Sequence, residues 1–337
     1  QYRQSEDSDS KNGSLTGAGL RSDRYASEEP SFSFEQLIVP DDLMVELLAA
    51  VDAIRVEKTV FDDWGLRAIE PFPRSALNFH GQPGTGKTLA AHALAQRLGR
   101  RILVASYAEI ESKYHGDGPK NVKALFQAAE RDNAVLFIDE ADSLLSRRLT
   151  HVTQGSEQAI NSMRSQLLIS LERFRGIVIF ATNLVENYDK AFETRVRHLH
   201  FAMPDAATRA RIWARHLPST LPVAVDVDTR ALGESVDDIC GRDIKNAVID
   251  AATRVALANR RETSANRRET SREDLVSAIQ RIKDARISSS HEDALSDDDA
   301  ESATAKLRSA FGKKRPRRKK KKGRRRGRAP LPRREGR

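Results

Sequence analysis

Gly81-Gln82-Pro83-Gly84-Thr85-Gly86-Lys87-Thr88 decides the fold of this chain of 337 residues. The stretch follows G-x-x-x-x-G-K-[ST], a loop that cradles phosphate. Its glycines and Pro83 shape a turn whose backbone N–H groups face an anion without side-chain obstruction. Ser75-Ala76-Leu77-Asn78-Phe79-His80 before it reads as a short, mostly apolar strand, and residues 87–98 after it read as a helix rich in Ala and Leu. A helix starting there points its N-terminus at the same anion. Lys87 adds a full charge for the β- and γ-phosphates of ATP, and the Thr88 hydroxyl can ligate Mg2+. Leu89, next in the helix, completes the run expected to bind the cofactor. A Gly-rich turn matching by chance has no reason to sit between a strand and a helix.

Working outward, Val135-Leu136-Phe137-Ile138-Asp139-Glu140 is the second decisive stretch. Four apolar residues form a buried strand that presents two carboxylates at its C-terminal end, where ligands sit in open parallel sheets. Asp139 can hold Mg2+ through its water shell, and Glu140 can polarise a water for attack on the γ-phosphate. A strand ending in surface acids is the ordinary alternative, and the phosphate loop about 50 residues upstream argues against it. Ile177-Val178-Ile179-Phe180-Ala181-Thr182-Asn183 is a third strand with a polar end. Asn183 alone would be a turn residue; beside the other two strands it is placed to hydrogen-bond the attacking water or the γ-phosphate.

Strands and helices alternate through this region. Ile102-Leu103-Val104-Ala105 and His198-Leu199-His200-Phe201 supply two more strands, and helices are expected from Pro119 and over 157–174. The rhythm predicts an α/β domain over 31–204, a parallel sheet with helices on both faces. Before it, Pro40-Asp41-Asp42 opens a helix with Asp as cap and an apolar stripe through Leu43, Leu47, Leu48 and Val51. From Pro204 the strand pattern stops. Helices over 205–217, 242–258 and 271–282 predict a helical second domain over 205–287. Between the last two, Asn259-Arg260-Arg261-Glu262-Thr263-Ser264-Ala265 repeats almost unchanged as Asn266-Arg267-Arg268-Glu269-Thr270-Ser271-Arg272. A shift of seven residues is nearly two helical turns, which a helix can absorb.

The net charge of +9 misleads, because 313–337 holds 16 Lys and Arg against one Glu. The other 312 residues sum to −6, so any nucleic-acid argument rests on the tail alone. Residues 1–30, the acidic linker 288–312 and the basic tail 313–337 have too few large apolar residues to order themselves. Cys240 is the only cysteine, which excludes an internal disulfide, suits a reducing cytoplasm and reads as a small packed residue. No apolar run reaches the length of a membrane span, and the start lacks an apolar signal-peptide core. The chain begins at Gln1, which leaves room for an upstream segment or domain.

Together these stretches make residues 34–283 resemble the AAA ATPase module, a P-loop NTPase, in its extended-homology branch and of the bacterial central-domain type. Gly81 to Thr88 and Leu136 to Asp142 match its two nucleotide motifs. Phe180-Ala181-Thr182-Asn183 matches its sensor-1 strand, and Glu111-Ser112-Lys113-Tyr114-His115-Gly116 is similar to its first pore loop. Asp189-Lys190-Ala191-Phe192-Glu193-Thr194-Arg195-Val196-Arg197 looks like its arginine-finger segment, and Gly241-Arg242-Asp243-Ile244 resembles the sensor-2 start of a lid helix. The resemblance implies a homo-oligomeric ring, usually a hexamer, with ATP between subunits. Arg195 would reach a neighbour's site, with Arg197 as the second candidate; the short segment here departs from the family's usual arginine spacing. Arg242 would contact the γ-phosphate, although many members of this branch lack it. Tyr114 would line a central pore and grip an extended polypeptide substrate.

Three functions compete on these residues: a ring that remodels polypeptides, a nucleic-acid-directed ATPase anchored by the basic tail, and a switch whose ATP state controls assembly only. The tail can bind nucleic acid or another polyanion through phosphate contacts. No aromatic residue lies among its basic residues after Phe311, so base stacking is not supported.

Overall fold

The computed structural model describes residues 22–69, 76–111, 117–146, 155–183, 188–193, 195–260 and 267–285. Five short strands make one parallel sheet: β1 (Ala76–His80), β2 (Ile102–Ser106), β3 (Val135–Asp139), β4 (Val178–Thr182) and β5 (Arg197–His200), in the order β2-β3-β4-β1-β5. Each lies within a residue or so of its place in the sequence reading. β1 and β4 are in register from Ala76 with Val178 to His80 with Thr182. That pairing brings the loop after β1 beside Asn183, while β3 flanks β4 on the other side.

The near-continuous apolar strands are buried on both faces, as a parallel sheet requires. One face carries Leu103, Ala105, Leu136, Ile138 and Phe180 against α4 (Asp117–Arg131) and α6 (Gly155–Arg173). The other carries Leu77, Phe79, Val135, Phe137 and Ile179 against α1 (Asp41–Lys58) and α2 (Lys87–Arg97). Three short helices were missed from the sequence: α3 (Tyr107–Ile110) continues directly from β2, α5 (Asp142–Leu145) follows β3, and α7 (Lys190–Glu193) precedes β5.

Beyond Pro204 come α8 (Ala206–His216), α9 (Thr229–Ser235), α10 (Gly241–Asn259) and a helix over 272–285, which we call α11. They close a third core around Trp213, Leu232, Ile244, Ala247 and Leu275. α9, with seven residues, is too short to show a period in the sequence.

Three expectations change. The N-cap of α1 is Pro40, not an aspartate; Asp41 and Asp42 occupy the first turn, where they oppose the helix dipole's positive end. Order reaches back before Ser31: the backbones of Glu28 and Ile102 exchange two hydrogen bonds of 2.7 and 2.9 Å at the sheet's edge strand. Within the heptapeptide duplication, Arg260 and residues 267–271 lie outside a helix. α10 ends at Asn259, whose side chain ties to the backbone of Arg268 by two 2.9 Å bonds. In the second copy Thr270 bridges to Val223, and Ser271 caps α11 together with Asp274 of that helix. The chain up to Lys283 forms one compact unit and 284–337 the other; the linker and tail expectations fall outside the described residues. Among the described residues no helix is long and apolar enough to cross a membrane.

Candidate active site

The loop between β1 and α2 is built around Lys87. Its ammonium is buried and donates to the carbonyls of Gly81 at 2.7 Å and Gln82 at 3.0 Å, and to Asn183 Oδ1 at 3.0 Å. Burial lowers the pKa of this amine, and the nearby carboxylates of Asp139 and Asp142 pull it back up. Thr85 Oγ1 donates to the Gln82 carbonyl at 2.8 Å and closes the turn.

Two glycines are required by geometry. Gly81 stands at φ +142°, where a Cβ would lie 2.2 Å from the Phe201 carbonyl oxygen. Gly84 stands at φ +81°, where a Cβ would lie 2.5 Å from Cys240 Sγ. The cysteine is therefore packed as expected, but against the phosphate loop itself. Its backbone N–H donates to Asp243 Oδ2 at 2.7 Å, which fixes the first turn of α10 beside the loop. Burial pushes the Cys240 thiol's pKa up, which disfavours the thiolate.

A cavity of about 440 Å³ opens over this loop. It is lined by Pro83, Gly84, Thr85, Gly86, Lys87, Thr88 and Leu89 together with Asp139, Glu140, Asn183 and Arg242. Eleven residues from four separate stretches of the sequence reading thus meet in one place. Gly81 and Gln82 do not line the cavity; they present their carbonyls to Lys87 from beneath. α2 has Gly86 as its N-cap with no side-chain cap bond, which leaves first-turn N–H groups for an anion. Glu140 sits at φ +53°, uncommon for a residue with a side chain. Its N–H donates to Asp139 Oδ1 at 2.9 Å, so the Asp139 carboxylate is tied to the Glu140 backbone.

The sequence reading missed part of the wall. Ile38 and Val39 precede α1, and Ile212, His216 and Lys245 come from the lid helices α8 and α10. No local pattern announces them, because they reach the cavity only once the third core has docked. Ile38 packs against that core, and nothing in the sequence around Pro40 pointed to it.

Arg195 and Arg197 do not line the cavity. Arg195 donates to the Ala191 carbonyl at 2.8 Å and to Glu172 at 3.3 Å, while Arg197 starts the outer strand β5 with its side chain exposed. Tyr114 lies outside the described residues. At the base of the site His80 ends β1 and stacks on His200 with ring centroids 4.9 Å apart. Burial, then His200, His198 and Lys87, depress the His80 pKa to about 4.

The set fits Mg2+ and a nucleotide. Thr88 and Asp139 offer two oxygen donors on one wall, which suits a cation that keeps several waters and takes phosphate oxygens. The positive-φ glycines leave the concave backbone open on the side that Lys87 underlies. Among the described residues no cluster of three His, Cys, Asp or Glu forms a separate metal cage.

Residues 77–202 match the ATPase family associated with various cellular activities, AAA. The chain is 35% identical over 229 residues to a 26S proteasome regulatory subunit 4 homolog of Oryza sativa subsp. japonica, covering 66% of this chain and 49% of that protein. It is 30% identical over 261 residues to the same-named homolog of Encephalitozoon cuniculi (75% of this chain, 58% of that protein). It is 34% identical over 186 residues to the katanin p60 ATPase-containing subunit A1 of Strongylocentrotus purpuratus (51% of this chain, 35% of that protein). The chain spans about half the length of the curated proteasomal relatives it matches. With the phosphate loop, the acidic strand end and the asparagine meeting over one parallel sheet, the chain belongs to the AAA family of ATPases.

Proposed function

We propose that this chain hydrolyses ATP in a ring of like subunits, usually six in this family, and uses the energy to remodel a polypeptide through a central pore. The observation that carries the hydrolytic part is the convergence of Lys87, Thr88, Asp139, Glu140, Asn183 and Arg242 on one cavity. Lys87, the loop amides and the N-terminus of α2 hold the β- and γ-phosphates. Thr88 and Asp139 orient Mg2+, which when bound neutralises charge on the phosphate oxygens. Glu140 takes the proton from the attacking water, and Asn183 positions that water or the γ-phosphate. The apolar side chains of Ile38, Val39 and Ile212 across the cavity suit a purine base. Arg242 reaches the γ-phosphate from the lid.

Arg195, absent from its own cavity, is assigned to the neighbour's, with Arg197 as the second candidate. Relatives named as a regulatory subunit and an ATPase-containing subunit support work within an assembly. Tyr114 is assigned to the pore. The test is Tyr114→Ala in the full chain: ATP turnover persists while unfolding of a tagged polypeptide is lost. Remodelling at the parental rate removes the pore reading.

The basic tail favours a second reading, an ATPase directed by nucleic acid, because 16 of its 25 residues are Lys or Arg. ATP turnover measured with and without DNA, on the full chain and on one ending before Lys313, decides it. Stimulation that vanishes with the tail supports that reading, and none in either chain removes it.

A further inference from the structure

Asp142 ends the acidic motif that follows β3, and it is also the terminus of a chain of hydrogen bonds that runs to Asn183. Its Oδ1 accepts from the Thr182 hydroxyl and from the Asn183 backbone N–H, the latter at 2.9 Å. The Thr182 side chain in turn bonds the Tyr188 hydroxyl. That hydroxyl accepts from Asn78 Nδ2 at 3.0 Å, and the same amide lies 3.1 Å from His198 Nδ1. Asn78 and Thr182 are 0% and 1% exposed, in the adjacent strands β1 and β4.

The donors can all point one way: amide to phenol, phenol to threonine, threonine to carboxylate. A buried chain of this kind polarises along its length, and an ionised acceptor at its end fixes every proton. The alternative is that Asp142 simply favours the N-terminus of a helix. α5 has only four residues, and Ala141, not Asp142, is its N-cap, so little dipole is there to oppose. α5 is itself pinned, since Arg164, 3% exposed, donates twice to the Ser143 carbonyl at 2.9 and 2.7 Å. The carboxylate is thus a rigid post, and Asn183 hangs from it with its carboxamide on Lys87.

We propose that Asp142, with Tyr188 behind it, is a positioning residue for hydrolysis: it sets where the Asn183 carboxamide stands relative to Lys87 and the γ-phosphate. This rests on the reading of Asn183 given above. The carboxylate does not line the cavity and acts on it only through the Asn183 N–H and its charge near Lys87, so its loss is expected to degrade turnover more than binding.

The test uses the full chain, steady-state ATP turnover and equilibrium binding of a fluorescent ATP analogue. Misplacing a positioned group by about 1 Å costs up to about 100-fold in rate. Asp142→Ala is therefore expected to lower kcat by about 10- to 100-fold while the analogue's Kd stays within about threefold. Tyr188→Phe, which cuts the chain one bond further back, loses about fivefold, the worth of one hydrogen bond. Asp142→Asn keeps the shape and one acceptor oxygen, guards against misfolding, and falls between parent and alanine variant. The double variant Asp142→Ala, Asn183→Ala turns over no more slowly than Asn183→Ala alone, because both changes remove one unit.

A parental kcat in Asp142→Ala, losses that multiply in the double variant, or a Kd that rises in step with the fall in kcat would each overturn the assignment. Slow Asn183→Ala beside fast Asp142→Ala sinks the Asp142 inference alone. A parental rate in Asn183→Ala sinks the asparagine reading and the inference together.

Discussion

Glu140 carries an unusual backbone for its task. Its φ of +53° is a conformation that favours Gly, Asn or Asp, and the Asp139 carboxylate holds it there through the Glu140 N–H. Glu140→Gln keeps size and backbone but cannot take a proton. We expect ATP binding to persist and kcat to fall by about 10²–10⁴; turnover within tenfold of the parent would remove the glutamate from its role as base. Gly84 separates conformation from contact. Gly84→Ala imposes a left-handed alanine, about 1–2 kcal/mol, and a Cβ 2.5 Å from Cys240 Sγ. Adding Cys240→Ala relieves the contact alone, so nucleotide affinity should recover in part. Full recovery, or none, would show that only one of the two effects operates. His80 reports on pH. Its folded pKa of about 4 lies below the ordinary 6.5, so unfolding takes up a proton across that interval. Its contribution is complete above pH 6.5 and is lost as pH falls towards 4. Carboxylates with lowered pKa, such as Asp132 at about 2, act below that window. Melting scans between pH 7 and 4.5 should therefore show a shallower fall in Tm for His80→Phe than for the parent; parallel curves would contradict the depressed imidazole.

At the scale of elements, the decisive event is the docking of α10 against the phosphate loop. Its N-cap residue Cys240 packs on Gly84, its second residue Arg242 lines the cavity, and its buried face joins Trp213 of α8 and Leu232 of α9. Trp213 is fully buried, and truncating such a residue costs about 3–5 kcal/mol. Trp213→Ala should loosen the lid and weaken ATP binding while the sheet's melting transition changes little; a single transition lowered as a whole would mean that lid and sheet unfold together. The strands and long helices were legible because each carries a local cause. β3 and β4 are apolar up to their last residue, and α4 repeats Val122, Leu125, Phe126 and Ala129 at helical spacing. The phosphate loop and the acids of β3 were legible because their chemistry is local too. The cavity's far wall was not. Ile38, Ile212 and Lys245 lie more than 200 residues apart at the extremes and meet only through the third core. Asn78 was likewise hidden, since a polar residue inside an apolar strand gives no sign of the partners it will find in Tyr188, beyond β4, and His198 on β5.

At the scale of the whole molecule, the cavity is incomplete in one respect. Glu140 and Asn183 line the cavity, but no arginine from the 189–197 segment does. Arg195 instead rests on Glu172 and the Ala191 carbonyl, with its side chain 30% exposed. A surface ion pair of that kind is worth about 0–1 kcal/mol, so releasing the guanidinium towards a neighbouring subunit is cheap. A finger supplied across an interface is worth about 10³–10⁵ in rate. Subunits carrying Arg195→Ala keep an intact phosphate loop but offer their neighbour no finger. Subunits carrying Lys87→Ala offer the finger but cannot hold ATP productively. Rings of either alone should be nearly inactive. Mixing the two places a Lys87→Ala subunit beside an Arg195→Ala site, and that one interface has both halves. ATP turnover plotted against mixing ratio should therefore rise to a maximum between the pure preparations. Substituting Arg197→Ala for Arg195→Ala in the same experiment identifies which arginine reaches across. A flat line for Arg195 with a maximum for Arg197 moves the finger two residues along. Flat lines for both at every ratio would confine each ATP site to a single subunit.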